Sequence, residues 1–331
     1  MIRYSREACE GQAPVRGVGV VWLGGALVGL VMFLGSAAGA APTPASFAYV
    51  LQADSLAADK ADAVAKLASC GRDWIVLDAA FGGDERWSAE DLKRIRAGKP
   101  GRKVIAYLSI GEAEDYRPYW RREWDSNKDG KPDPKAPAFL LAENPDWHGN
   151  FRVKYWHADW QKLILADVDR IMAQGFDGLY LDIVDGFETF ERDGKNFVDD
   201  RKNPETQQSY RRDMVDWVKA IAARARSAHP TALVVPQNGT QLLAHADFLG
   251  AVDAVGVEDL FSEGDKRQSA EHTSYVLELL KPMRSARKPV LDIEYADRKD
   301  RRDQVKAQAA TNGLILLLTD RELKTLGTSG T

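Results

Sequence analysis

The chain has 331 residues, 44% of them hydrophobic and 28% charged, with a net charge of −4. That size and balance suit one large soluble α/β domain, or at most two smaller ones. A mildly acidic chain with no Lys/Arg cluster interleaved with aromatics excludes nucleic acid as a partner.

The chain begins with Arg3, Arg6 and Arg16, an 18-residue apolar run from Val18 to Gly35, and then Ala38-Gly39-Ala40. This pattern predicts a signal peptide over residues 1–40, cleaved before Ala41, and hence a secreted or periplasmic protein. An uncleaved anchor is the alternative, since a run of that length just spans a bilayer. Cleavage would remove Cys9 and leave Cys70 alone, so no internal disulfide is expected and the fold must rest on its core. Cys70 reads as a small buried hydrophobe.

The remainder, residues 41–331, alternates short apolar runs with helical patterns. Strands are expected at 46–52, 74–78, 103–110, 178–184, 233–237, 254–257, 289–294 and 314–319. Between them, helices are expected at 56–69, from Ser88 onward, and at 158–175, 204–228, 240–248, 269–286 and 300–312. Helix 158–175 is the clearest, because Trp160, Leu163, Ile164, Val168, Ile171 and Met172 form one stripe and Gly175 stops it. Residues 115–157 and 186–202 break the rhythm and read as insertions after strands three and four. Eight βα units predict a single (β/α)8 TIM barrel of the α/β class. A doubly wound open sheet is the runner-up, weakened because no Gly-rich fingerprint follows the first strand.

Acids gather where these strands end: Asp78, Glu112, Asp182, and Glu258-Asp259, with Asp292 and Glu294 in strand seven and Asn238 closing strand five. In a barrel those ends share one face, where active sites collect. A buried carboxylate is costly without a partner, so such a cup perturbs its own pKa values. That suits cleavage of a glycosidic bond, in which one carboxylic acid protonates the leaving oxygen and a second carboxylate attacks or activates water. Asp182 and Glu258, on strands four and six, are the expected pair; Asp78 and Asp292 are the acids that most readily read as structural.

Other chemistries fare worse. The five histidines (His148, His157, His229, His245 and His272) avoid the strand ends, and no Gly-x-Ser-x-Gly elbow is present, so neither a zinc site nor a serine triad is expected. Asp125-Ser-Asn-Lys-Asp129-Gly130 resembles the start of an EF-hand loop, but Ala136 stands where the bidentate Glu belongs. The loop reads as a solvated turn, with bound calcium as its alternative; no metal or cofactor is assigned. Tyr116, Tyr119, Trp120, Trp124, Trp147, Tyr155 and Trp156 crowd the first insertion. Most should anchor it, and two or three could stack on sugar rings.

Four motifs occur in order: Tyr107-Leu-Ser-Ile-Gly-Glu112-Ala-Glu-Asp-Tyr116, Glu143-Asn-Pro-Asp-Trp147, Gly178-Leu-Tyr-Leu-Asp182-Ile-Val-Asp185 and Gln237-Asn238-Gly239. Together they resemble glycoside hydrolase family 114, the endo-α-1,4-polygalactosaminidase-like group, over residues 46–320. The resemblance implies a (β/α)8 fold and hydrolysis of α-1,4 bonds inside galactosamine-rich polymers. Its paired acids fall on Asp182 and Glu258; around them Asp78, Tyr107, Glu112, Asp185, Asn238 and Glu294 are expected to shape the substrate subsites. A monomer acting on an amino-sugar polysaccharide is expected. The rivals are a non-catalytic carbohydrate-binding barrel and a metal-dependent polysaccharide deacetylase or esterase.

Overall fold

Runs such as Trp74-Ile-Val-Leu77 and Leu233-Val-Val-Pro236 are buried on both faces, the mark of strands enclosed in a parallel sheet. The computed structural model describes residues 43–329, so the expected signal peptide lies outside the described residues. Among those residues the eight expected strands are β1 Phe47–Val50, β2 Trp74–Leu77, β3 Lys103–Ser109, β4 Gly178–Asp182, β5 Leu233–Pro236, β6 Val255–Glu258, β7 Val290–Glu294 and β8 Ile315–Leu318. The ladders β1-β2-β3-β4-β5 and β6-β7-β8 are parallel throughout. A parallel bridge between Gln237 and Gly256 joins the two groups.

Alternation along each strand sends every second side chain inward. Phe47, Tyr49, Trp74, Val76, Ile105, Tyr107, Tyr180, Val235, Ala254, Ile293 and Leu317 thereby meet in one buried cluster. Strands packed this way, with helices outside, make an α/β fold of the TIM-barrel kind. The seam between β8 and β1 carries a strap. Thr328–Ser329 pairs antiparallel with Leu317 and Leu318, while the Leu51 and Gln52 N–H groups donate to Leu323 O at 3.0 and 3.3 Å.

Among the described residues the helices of five or more residues are α1 Lys60–Ser69, α2 Ala89–Ala97, α3 Ala158–Gln174, α4 Tyr210–Ala228, α5 Ala246–Ala251, α6 Ala270–Leu279, α7 Lys281–Ser285 and α8 Lys299–Asn312. Several start later than expected because a capping side chain decides the first turn. Asp59 accepts from Asp62 N–H and starts α1 at 60 rather than 56; Ser209 accepts from Arg212 N–H and starts α4 at 210 rather than 204. The helix expected over 240–248 is a 3-10 turn, Thr240–Ala244, followed by α5. The one expected over 269–286 divides at Leu280, where Pro282 has no N–H to continue the ladder. Helix α3 buries Trp160, Ile164, Val168, Ile171 and Met172 and ends on Gly175 at φ +98°. Burial of each such side chain is worth about 1.5–3 kcal/mol.

Between β3 and α3 the chain builds a small antiparallel sheet from Glu112–Glu114, Leu140–Glu143 and Asn150–Val153. The indoles of Trp160 and Trp217, from α3 and α4, both donate to Ile110 O at 2.9 and 3.3 Å and fix the point where this sheet leaves β3. In the 125–133 turn, Asp125 accepts from the N–H groups of Asp129 and Gly130, and Asp133 accepts from Ser126. These carboxylates are engaged with their own loop. Among the described residues no group of three or more His, Cys, Asp or Glu side chains is placed to hold a metal ion.

Candidate active site

Three consecutive barrel strands end in the same way. Ile183 after β4, Asn238 after β5 and Asp259 after β6 each sit in the left-handed region, at φ +56°, +56° and +52°. For a β-branched residue such as Ile183 this conformation is strained, at a cost of about 1–3 kcal/mol. The turn folds Ile183 N–H back onto Asp182 Oδ1, at 2.8 Å. Tyr107, next to Tyr180 in the β3–β4 register, donates its hydroxyl to Asp182 Oδ2, also at 2.8 Å. Both donors favour the ionised carboxylate. Burial pushes Asp182 above the ordinary range, and these two bonds oppose it.

Glu258 ends β6, with β5 between it and Asp182. Tyr295 donates its hydroxyl to Glu258 Oε1. Burial first, then the Asp182 charge, pushes Glu258 up to about 7. Asn238 Oδ1 accepts from Glu258 N–H at 3.3 Å, tying the end of β5 to the end of β6. Beneath the pair, the rings of Tyr49 and Tyr180 lie 4.9 Å apart, and the buried Tyr180 hydroxyl has no hydrogen-bond partner among the described residues. Gly256 makes room for that phenol, since a β-carbon there would overlap its oxygen.

Other acids converge on the same end. Asp185 is raised well above its usual value by burial, then by Glu188 and Asp182. Glu112 is buried and pushed up to about 7, chiefly by burial, and Asn144 donates to its Oε1 at 2.8 Å. Asp78 pairs with Arg117 at 2.7 Å, and Arg117 also holds Glu114 at 2.6 Å. Tyr107, Glu112, Asp185 and Asn238 therefore stand around Asp182 and Glu258, with Asp78 further along the rim.

Glu294 does not join them. Strand β7 turns Leu291, Ile293 and Tyr295 inward, so Asp292 and Glu294 point outward, behind the barrel wall. Glu294 is fully buried; its Oε1 accepts from Phe261 N–H at 2.6 Å and its Oε2 from Ser262 N–H at 3.1 Å. It ties down the loop after β6 and lines no subsite. Asp292, also fully buried, has no hydrogen-bond partner for either oxygen among the described residues, and burial beside Glu294 keeps it well above the carboxylate range.

Tyr295 and Arg321 were absent from the expected site. Arg321, in the strap after β8, bonds both oxygens of Asp259 at 2.8 Å and lies 4.2 Å from the Tyr295 ring centroid. Parity along β7 could have found Tyr295; no local pattern marks Arg321. Of the aromatic group, Tyr119, Trp120, Trp124, Tyr155 and Trp156 pack against other rings, whereas Tyr116 and Trp147 are 61% and 53% exposed.

The sequence model of glycoside-hydrolase family GH114 matches residues 35–330. An uncharacterized protein of Deinococcus radiodurans is 36% identical over 253 residues, 76% of this chain and 74% of its own length. The glycoside hydrolase domain of PelA from Pseudomonas aeruginosa superimposes with a TM-score of 0.60 at 20% identity, over 86% of this chain and 98% of that one. Aspergillus fumigatus Ega3, solved in complex with galactosamine, gives 0.58 at 16% identity, over 86% and 94%. These two likenesses are of fold.

Proposed function

This chain belongs to glycoside-hydrolase family GH114, and from that premise we propose that it cleaves α-1,4-galactosaminidic linkages inside a galactosamine-rich polysaccharide. The observation that carries the reading is a split between two neighbouring carboxyls. Asp182 has two donors that favour its charge, and Glu258 is pushed up to about 7 beside it. Such a pair divides into one ionised and one protonated member near neutral pH.

In this reading Glu258 is the general acid. It passes its proton to the glycosidic oxygen as the bond from that oxygen to the anomeric carbon breaks, and the leaving chain departs with a free hydroxyl. Asp182 faces the anomeric carbon and either attacks it or takes a proton from the attacking water. Tyr107 and the Ile183 N–H hold the Asp182 oxygens; Tyr295 and Asn238 hold Glu258. The protonated amines of a galactosamine chain are drawn to a mouth carrying ionised Asp182. Galactosamine bound to Ega3, a protein of the same fold, supports an amino sugar here.

The test is incubation with a de-N-acetylated α-1,4-galactosamine polymer, with products read by mass spectrometry. Native protein releases oligomers; Asp182→Asn and Glu258→Gln stay folded and lose about 10²–10⁴-fold in rate. Native-like turnover by either variant refutes the assignment. Residues 1–40 are proposed as a cleaved export signal, and N-terminal sequencing of protein recovered outside the cytoplasm should begin at Ala41.

A further inference from the structure

The catalytic pair fills only part of the barrel's open end. A cavity of about 310 Å³ lies at the ends of β1, β2 and β3, lined by Gln52, Asp78, Tyr107, Ser109, Tyr116 and Arg117 among others. Neither Asp182 nor Glu258 lines it. Tyr107 belongs to both places, walling the cavity and donating its hydroxyl to Asp182. The cavity thus begins one side chain from the reacting carboxylate, and its size falls at the lower end of the range for small-molecule pockets.

Its outer wall is unusual among the aromatics of this segment. Tyr116 is 61% exposed, yet its pose is fixed: the hydroxyl donates to Glu114 Oε1 at 2.5 Å, and the Arg117 guanidinium lies 5.2 Å from the ring centroid. Arg117 is itself held between Asp78 and Glu114, so its charge is neutralised and does not repel a cationic sugar. An exposed ring held in place at a cavity rim, with Arg117 over one face, leaves its other face for the apolar face of a pyranose, and the Asp78–Arg117 pair offers both acceptor and donor atoms to hydroxyls.

We propose that this cavity is a secondary subsite for one hexosamine unit of the polymer, removed from the cleaved bond, with Tyr116 as its stacking platform. The proposal rests on the hydrolase reading above and adds to it a dependence on chain length. The assay compares kcat/KM for α-1,4-galactosamine hexamer and dimer. In Tyr116→Ala the hexamer-to-dimer ratio falls about five- to tenfold, the loss of one stacking contact. Tyr116→Phe, which keeps the ring and its Arg117 contact and loses the Glu114 bond, lowers the ratio less than Tyr116→Ala does. A native ratio in Tyr116→Ala, or an equal fall in Tyr116→Phe, overturns the subsite while leaving the hydrolase intact. Calorimetric binding of the hexamer to Glu258→Gln, with and without Tyr116→Ala, reads the subsite independently of turnover. There a five- to tenfold weaker affinity is expected, and equal affinity, or no binding to either protein, overturns the proposal.

Discussion

Replacing Asp182 by Asn should lower the pKa of Glu258. Burial and the Asp182 charge together push Glu258 up to about 7, and the substitution removes the second cause while keeping shape. Strands β4 and β6 flank β5, so at about 4.8 Å per strand their axes lie about 10 Å apart. At an effective dielectric of about 20, two unit charges at that distance repel by about 1.7 kcal/mol, a little over one pH unit. Side chains converging inside the barrel stand closer than their strands, which makes this a lower figure. Titration of the Glu258 carboxyl by carbon-13 NMR in the native and Asp182→Asn proteins measures the change. A Glu258 that titrates at the native pH in the folded variant refutes the reasoning, because it would mean that Asp182 is uncharged where Glu258 ionises.

The other expectations come from groups around the pair. Tyr295→Phe and Arg321→Ala each remove something that favours ionised Glu258, so the alkaline limb of the kcat/KM profile should move to higher pH in both; an unmoved limb would detach Tyr295 and Arg321 from the acid. Glu294→Ala should destabilise the fold by about 2–6 kcal/mol, since Phe261 and Ser262 lose the acceptor for two buried N–H groups, and an unchanged denaturation midpoint would contradict this. Glu112, Glu258 and Glu294 are each pushed up to about 7, so the native protein binds more protons than the unfolded chain between about pH 4.5 and 7. The stability these carboxyls contribute when protonated is lost as pH rises through 7, and calorimetry should give a higher melting temperature at pH 5 than at pH 8.

Strand positions were legible because parallel strands buried on both faces leave short apolar runs that helical stripes cannot mimic. The same burial hid the orientation of β7. In Val290-Leu-Asp-Ile-Glu294, acid and aliphatic residues alternate and both faces are buried, so Asp292 and Glu294 drew attention although the pleat turns Ile293 and Tyr295 inward. In β4 the acid and the inward tyrosine share a parity, 180 and 182, so the sequence pointed to the correct face. The start of α1 was misread because Leu56, Ala57 and Ala58 carry the apolar pattern past the cap at Asp59. Arg321 was out of reach for a different reason. Its importance comes from a strap whose partners, Leu51, Gln52, Asp259 and Tyr295, lie far away in the chain.

That strap bears on the order in which the barrel closes during synthesis. A ribosome that has delivered β1 through β8 has already released every acid named here, but the guanidinium that sits on Tyr295 and the backbone that seals Leu51 and Gln52 come only with residues 321–329. Until then the barrel has an open flank between β8 and β1, and Asp259 and Tyr295 lack the guanidinium that joins them.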